Sequence, residues 1–369
     1  MARYPTLRAL RGAREGALLQ SRAQALLAGV RRYAPRTEPA AAQDSAHLRV
    51  IQWNVEHGNW YAPLERALLT HPRLAGADLV LCNEIDLGMG RAGNRDVTGD
   101  LADALGLHGV WAPLFLESTL GRDDDILAAR GRVNEESLFG VAVLSRWPLG
   151  EVRVVPLPGP DELLFSLERL VGRYAALIVE VLHPRGTFVA VGAHLEVHRT
   201  RDDRARQIAT VVEALAAEHR PVVFAGDFNT HTFDRGRPLS TLTGAWPLLT
   251  WPLPALRERL LHPDRGRNRE SLFSALAAGG FAWEPYADHQ PTLRVRFDRL
   301  TELQGLPPAL ATRVHRGLAW AEKRAQLRLD WVCARGFDHA RGSGGTVEGL
   351  DGPTAASDHA PIVAELAFL

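Results

Sequence analysis

Short runs of β-forming apolar residues recur along this chain, and they repeatedly close on a carboxylate, an amide or an imidazole. Val222-Val223-Phe224-Ala225 leads into Gly226-Asp227-Phe228-Asn229, Leu48 to Trp53 into Asn54 and Glu56, and Asp78 to Asn83 into Glu84. Thr187 to Ala193 leads into His194, Asp330 sits in Arg-Leu-Asp-Trp, and Asp358-His359 stands near the C-terminus. Interleaved with helical segments and polar loops, such runs predict an α/β (α+β) body with strands as its framework, not a helical bundle. Each polar tip ends or closely follows a strand, so the tips are candidates for a single composite site.

The strands expected on this pattern are 48–53, 79–82, 110–116, 138–144, 152–156, 175–182, 188–193, 222–225, 329–333 and 362–366. Helices are expected around 64–69, 99–105, 202–218 and 271–278, with Asp202 or its neighbour as an N-cap. Residues 1–46 differ from the rest: eight arginines stand against three acids, with a helix-like Ala/Leu/Arg pattern from Leu7 to Val30. This segment reads as an appended basic, partly helical extension and linker ahead of one large domain, 47–369. It is either an arm for anionic partners or a helix packed on the body with its arginines solvated. A Pro-, Arg- and Trp-rich stretch of about 250–326 is too long for a simple connection and reads as a partly helical insertion. Its Arg313, Arg316, Lys323, Arg324 and Arg328, near Trp320, offer either a basic and aromatic surface or a solvated helix face.

Composition removes several alternatives. Hydrophobic residues make up 46% of the chain, enough for a sizeable core, and the 43 basic and 43 acidic residues cancel. No global positive field exists to hold nucleic acid nonspecifically, so a polyanion must be gripped locally. Lys323 is the only lysine, which excludes Schiff-base catalysis nearly everywhere. Cys82 and Cys333 lie inside apolar strand-like runs and read as reduced core thiols. With no apolar leader and no stretch long enough to span a membrane, the expected location is cytoplasmic.

The strand tips together offer carboxylates for a hard cation and amides and imidazoles for anionic oxygens, with no serine or cysteine nucleophile in a comparable setting. That combination points to phosphate. Mg²⁺ prefers one or two carboxylates plus waters and substrate oxygens, so Glu84 helped by Asn54, Glu56 or Asp358 is sufficient ligation. Zinc is disfavoured, because no Cys cluster occurs and His194 and His198, four apart, straddle the end of a strand. Three adjacent acids at Asp123-Asp124-Asp125 cannot all face one ion and read as a solvated loop.

These residues in this order resemble the endonuclease/exonuclease/phosphatase superfamily, which includes pancreatic deoxyribonuclease and the exonuclease-III-type repair nucleases. The matching pieces are Gln-Trp-Asn54-Val-Glu56, Cys-Asn-Glu84-Ile-Asp86, Ser145-Arg146-Trp-Pro, Gly-Ala-His194-Leu, Arg204-x-x-Gln207, Gly-Asp227-Phe-Asn229, Leu-Asp330-Trp and Ser357-Asp358-His359-x-Pro. The resemblance covers residues 48–369. It implies a four-layer sandwich of two packed mixed β-sheets flanked by helices, here with an N-terminal helical extension, and a site at one edge of the sandwich.

It implies roles as well. Glu84 would bind Mg²⁺ or Mn²⁺, as one or two ions, with Asn54 on the ion or the scissile phosphate, Glu56 in support and Asp358 on the metal or its waters. Asp227 would orient or deprotonate water, while Asn229 and His194 would donate to nonbridging oxygens. His359, held by Asp330, would stabilise developing charge. Arg204 and Gln207 read as fixing the helix after His194.

Asp86-Leu-Gly-Met-Gly-Arg91-Ala-Gly-Asn94-Arg95 forms a second cluster. In it Arg91 and Arg95 either clamp a further substrate phosphate or stabilise the loop. The function expected is a metal-dependent phosphohydrolase acting by in-line attack of water. A nucleic-acid phosphodiester is favoured as substrate, with a phospholipid or phosphoinositide as runner-up and a non-catalytic phosphate-binding scaffold as the reading from another class. Fold alone does not choose among them.

Overall fold

A computed structural model gives the fold, and it describes residues 4, 6–36, 47–121, 124–159, 162–164, 169–232, 246–248, 250–294, 320, 324–350 and 355–369. One sheet runs, from edge to edge, through the strands Phe337–Thr346, Ile362–Phe368, His47–His57, Leu79–Leu87, Leu138–Ser145, His108–Glu117, Arg169–Gly172 and Glu162–Leu164. The other runs through Asp330–Arg335, Val222–Asp227, Phe188–His194, Ala175–Val181 and Leu149–Pro156. Both sheets are mixed, since His47–His57 pairs in parallel with Leu79–Leu87, and Phe188–His194 with Val222–Asp227, while their other neighbours are antiparallel.

Alternation along the strands explains the layering. Leu48, Val50, Leu79 and Leu81 face a core shared with Val189, Val191, Val223 and Val332 of the second sheet. Ile51, Trp53, Val80 and Cys82 point the other way, onto Leu64 and Leu68 of helix Tyr61–Thr70 and Leu101 of helix Val97–Leu105. Behind the second sheet, Ile208 and Val211 of helix Arg201–Ala214 and Phe273 and Leu276 of helix Leu272–Ala278 complete the four layers. Period-two burial on both faces is what two sheets sandwiched between helices require.

Every strand expected from the apolar runs is present. The pattern missed Arg31–Tyr33, Glu162–Leu164, Arg169–Gly172, Phe337–Thr346 and the short pair Leu293–Arg294 with Gln326–Leu327. Phe337–Thr346 carries Arg341 and four glycines or serines in its second half, so it has no apolar signature, and it pairs along Ile362–Phe368 across a register shift. The helix after His194 starts at Arg201, and its N-cap is Thr200, not Asp202. Thr200 and Asp203 form a reciprocal capping box, which satisfies two amide groups at the helix start.

The N-terminal segment lies on the body. It forms helices Leu7–Arg11 and Gly16–Leu27 and then the strand Arg31–Tyr33, which extends the first sheet against His108–Glu117. Arg31 pairs with Asp96 and Glu136, and Arg32 donates to the carbonyls of Leu149 and Gly150. The 250–326 stretch contributes helix Leu253–Leu261 and helix Leu272–Ala278. Residues 37–46, Arg122, Asp123, Arg313, Arg316 and Lys323 lie outside the described residues. Both cysteines are buried free thiols, and burial pushes Cys82 up to about 12. Among the described residues no helix is long and apolar enough to cross a membrane.

Candidate active site at the ends of the two sheets

The site forms where His47–His57 and Leu79–Leu87 of one sheet meet Phe188–His194, Val222–Asp227 and Asp330–Arg335 of the other. In the second sheet the strand register sets His194 beside Asp227 and Asp227 beside Asp330. Gly226 makes that pairing possible, because a Cβ there would lie 1.8 Å from the Ala193 carbonyl oxygen. Side chains of the first sheet cross the gap. Asn83 Nδ2 donates to the Ala193 carbonyl at 3.0 Å, and its Oδ1 accepts from the Asp227 amide at 2.8 Å and from Gln52 Nε2 at 2.7 Å. Gln52 Nε2 also reaches Asp330 at 3.4 Å. These amides are fully enclosed, where an unmade hydrogen bond costs about 1–3 kcal/mol, so they lock the two sheets into one relative position.

Simple alternation would put Glu84 opposite Asn83, on the helix side. A register shift between Asn83 and Ile85, with Glu84 at φ 49°, turns it back toward the gap. A second shift between Asn54 and His57, with Glu56 at φ 44° and His57 at φ 65°, does the same on the adjacent strand. Positive φ in residues with a Cβ is sterically costly, and its concentration beside the site is the pattern expected where backbone strain serves function. Asn54 Nδ2 then donates to Glu84 Oε1 and Asp227 Oδ2, both at 3.1 Å. Asn229, at φ 51°, donates its backbone N–H to Asp227 Oδ1 at 2.9 Å and its side-chain amide to the Leu195 carbonyl at 2.8 Å.

Three imidazoles surround these carboxylates. His194 Nε2 lies 3.6 Å from Asp227 Oδ2 and 3.8 Å from Glu84 Oε1. His359 Nδ1 is hydrogen-bonded to Asp330 Oδ2 at 2.7 Å, which leaves Nε2 3.9 Å from Asp227 Oδ2. The His359 backbone is fixed by Ser357 Oγ, which accepts from its N–H and donates to the Asn54 carbonyl, and by Trp53 Nε1 donating to its carbonyl. Asp330 is held by Thr292 Oγ1, which accepts from its amide at 3.1 Å. His57, which sequence reasoning overlooked, has Nε2 3.4 Å from Glu84 Oε2 and Nδ1 3.5 Å from Asp86 Oδ1.

The charges are strongly interdependent. Burial works to raise the Glu84 carboxyl, but His57, His194, His359 and the Asn54 hydrogen bond outweigh it and bring it down to about 2. Burial raises Asp227, and the neighbouring Asp330 charge adds to the effect against His359 and His194. Burial opposes the charge on His359, yet Asp330 and Asp358 hold it well above the ordinary imidazole range. The site therefore contains a firmly ionised carboxylate in Glu84, a carboxylate made more basic in Asp227, and, in His359, an imidazole kept protonated.

His57 gives a test of this balance. Burial and the Arg91 charge act to lower its pKa, but Glu84, Asp86 and Asp125 prevail and push it up to about 10. A raised folded-state value stabilises the protein fully below the unfolded value of about 6.5, and the stabilisation fades as pH rises through 10. Chelator-treated protein is expected to lose thermal stability between pH 7 and 10 by differential scanning fluorimetry, and Asp86→Asn should flatten that loss. An identical slope in the variant would remove His57 as its source.

Of the residues expected from sequence, Asn54, Glu84, His194, Asp227, Asn229, Asp330 and His359 converge. Candidate ion-holding groups here are Glu84 with His194 and Asp227, and Asp227 with Asp330 and His359; among the described residues neither contains Glu56 or Asp358. Glu56 is connected to the site through its backbone N–H, donated to Asn54 Oδ1 at 3.2 Å, and Asp358 through its charge on His359. Arg91 is a correction. It is buried, and its guanidinium is taken up by Asp86 at 2.8 Å, Glu117 at 2.8 Å and Asp125 at 3.5 Å, so it braces the loop instead of meeting substrate. Arg95 pairs with Asp100 and lies over the Tyr61 ring. Asp125, read from sequence as part of a solvated loop, accepts from Asn59 as well as pairing with Arg91. Arg204 is fully buried in a two-pronged pair with Glu270, and Gln207 Oε1 accepts from the Glu196 amide, as expected for residues that fix the helix.

Gln52 and Asn83 left one signal in the sequence. An amide in the middle of an apolar strand cannot be buried without a partner, so its presence marks a place where another element must arrive.

Comparison with known proteins agrees with the fold. The profile of the Endonuclease/Exonuclease/phosphatase family matches residues 51–359. A crystal structure of an endonuclease/exonuclease/phosphatase from Beutenbergia cavernae is similar at 21% identity and a TM-score of 0.51, over 87% of this chain and 72% of that one. The 3′ phosphatase NExo from Neisseria, bound to a product DNA hairpin, is similar at 15% identity and a TM-score of 0.51, over 87% of this chain and 100% of that one. No curated protein matches the chain by sequence. With a family profile spanning most of its length and the paired sheets in place, the chain belongs to the endonuclease/exonuclease/phosphatase family and is a metal-dependent phosphoesterase.

Proposed function

We propose that this enzyme hydrolyses a phosphodiester of nucleic-acid type, with Glu84 as the principal ligand of a Mg²⁺ or Mn²⁺ ion. The metal assignment rests on the donor set. The Glu84 side chain keeps 24% of its surface exposed, whereas those of Asp227, Asp330 and His359 are nearly enclosed, and it presents hard oxygen donors at the mouth of the cluster. One or two carboxylates with room for water and substrate oxygens suit these ions. The bound ion would supply neutralisation of charge on the phosphoryl oxygens. Asn54, tied to both Glu84 and Asp227, spaces the ion-binding carboxylate from the proton-accepting one. Glu56 and Asp358 would act in support.

Asp227 takes the proton of the attacking water. Its raised basicity suits that task, and its Oδ1 is pinned by the Asn229 N–H so that Oδ2 faces the gap. As the water oxygen bonds to phosphorus, the P–O bond on the opposite side breaks. Protonated His359, oriented by Asp330, and the amide and imidazole of Asn229 and His194 donate toward the oxygens that gain charge.

The observation that favours nucleic acid is a set of indole–guanidinium stacks next to the loop that carries Asn229. Arg259 lies 5.5 Å from the Trp251 ring centre and donates to the hydroxyl and the carbonyl of Thr232. Arg324 lies 4.6 Å from the exposed Trp320 ring. Exposed indoles beside arginines provide stacking faces and positive charge for successive bases and phosphates. DNA on the Neisseria protein is consistent with this reading.

A panel of oligonucleotides, phospholipids, inositol phosphates and small phosphoesters, assayed with Mg²⁺, Mn²⁺ and chelator, tests it. Oligonucleotides are expected to be the best substrates, with activity lost on chelation and restored by either ion. Trp251→Ala should raise KM for an oligonucleotide about fivefold or more, from the roughly 1–3 kcal/mol that one stacked base contributes. A chelator-insensitive activity, or a lipid as best substrate, would overturn the respective half of the proposal.

A further inference from the structure

A second cluster of metal-ligand type lies outside the active site. His262 follows helix Leu253–Leu261, Asp264 sits two residues on, and His289 belongs to the loop before Leu293–Arg294. Each offers one ligand atom, and these atoms lie within 4.8 Å of one another. His289 Nε2 is 3.0 Å from Asp264 Oδ2 and 3.1 Å from Oδ1, close to the roughly 3.3 Å that bonds of 2.0–2.1 Å set between ligands around a tetrahedral ion. The two imidazole rings stand side by side, centres 4.4 Å apart.

An Asp–His pair alone is an ordinary structural contact. Two further observations point past it. His262 Nδ1 is buried and has no hydrogen-bond partner, while Nε2 is faced by Arg265 at 3.2 Å and Glu258 at 3.4 Å. Asp264, itself buried, accepts from Trp283 Nε1 at 3.3 Å, an outer contact of the kind that orients a metal-binding carboxylate.

We propose that His262, Asp264 and His289 bind a borderline transition ion of the Zn²⁺ class, with His262 coordinating through Nδ1. Two imidazoles and one carboxylate suit zinc, cobalt or nickel and not Mg²⁺, which separates this site chemically from Glu84. The ion joins the end of helix Leu253–Leu261 to the loop that carries Thr292, the residue bonded to the Asp330 amide. Its role is therefore to brace the second wall of the active site. No short-range spacing announces it, because the third ligand arrives 25 residues after Asp264.

The test uses the full chain, stripped with chelator and titrated with Zn²⁺ by calorimetry, and with Co²⁺ by visible spectroscopy. The Glu84→Gln/Asp227→Asn double variant removes the active-site ligands and is expected to keep one Zn²⁺ per chain and the intense visible bands of a low-coordinate Co²⁺ site with nitrogen ligands. In that background His262→Gln should weaken Zn²⁺ binding at least about 10–100-fold, the scale on which even outer contacts act. Loss of all Zn²⁺ in the double variant, or binding indifferent to His262→Gln, overturns the proposal. Should His262→Gln fail to fold, the Co²⁺ spectrum of the double variant decides: an octahedral, water-like spectrum refutes the site.

Discussion

Asp227→Asn is expected to lower kcat by about 10²–10⁴, the range typical for removing a positioned general base, while leaving the fold intact. The substitution conserves shape, and an asparagine Oδ1 can still accept from the Asn229 N–H, whereas the proton acceptor at Oδ2 is gone. Asn54 donates to that Oδ2, so an amide nitrogen placed there would face another donor. The ligand position near Glu84 is disturbed as well, and metal affinity should fall modestly. Steady-state kinetics at saturating Mg²⁺, with circular dichroism and calorimetric Mg²⁺ binding on the same sample, separates the two effects. A variant retaining more than about a tenth of wild-type kcat would show that the base is elsewhere.

The largest expected stability loss comes from Arg91→Met. Arg91 is the shared cation of Asp86, Glu117 and Asp125, and its own side chain and those of Asp86 and Glu117 are almost wholly enclosed. Removing one partner of a buried ion pair costs about 3–5 kcal/mol, because the charge left behind has neither water nor a counter-ion. Burial already shifts Glu117 upward, so it can take a proton and soften part of that loss. Asp86 cannot relax as easily, since it also faces His57, which in turn faces Glu84. Urea denaturation should therefore place the variant at the lower end of the range or above, with weaker metal binding in addition. A loss below about 1 kcal/mol would mean that the loop finds another way to neutralise its acids.

Much of the framework was legible because two-sided burial writes a strong pattern. Leu79-Val80-Leu81-Cys82 and Val222-Val223-Phe224-Ala225 read as strands because both faces are apolar, and both are strands buried from two sides. Phe337–Thr346 was illegible for the opposite reason. It is held by pairing with Ile362–Phe368, and its run Gly342-Ser343-Gly344-Gly345 has no apolar periodicity to read. Arg91 illustrates a different failure. A glycine-bracketed arginine near an acidic tip is written the same way whether it meets a phosphate or three carboxylates from distant loops, and Glu117 and Asp125 are remote from it in sequence. His57 was missed because it is one residue beyond a motif, in a bulge whose φ of 65° no local pattern announces.

The sequence by itself determined the list of chemical groups and the strands that end in them, because burial periodicity and residue type are local properties of the chain. It could not decide which groups meet. Glu84 faces the site only because a register shift reverses its side, and Asp227 and Asp330 become neighbours only through antiparallel pairing of segments distant in the chain. Those outcomes depend on how two sheets dock and on the enclosed amides of Gln52 and Asn83 that join them. Contacts of this kind are energetic consequences of the assembled core, and no stretch of sequence carries them alone.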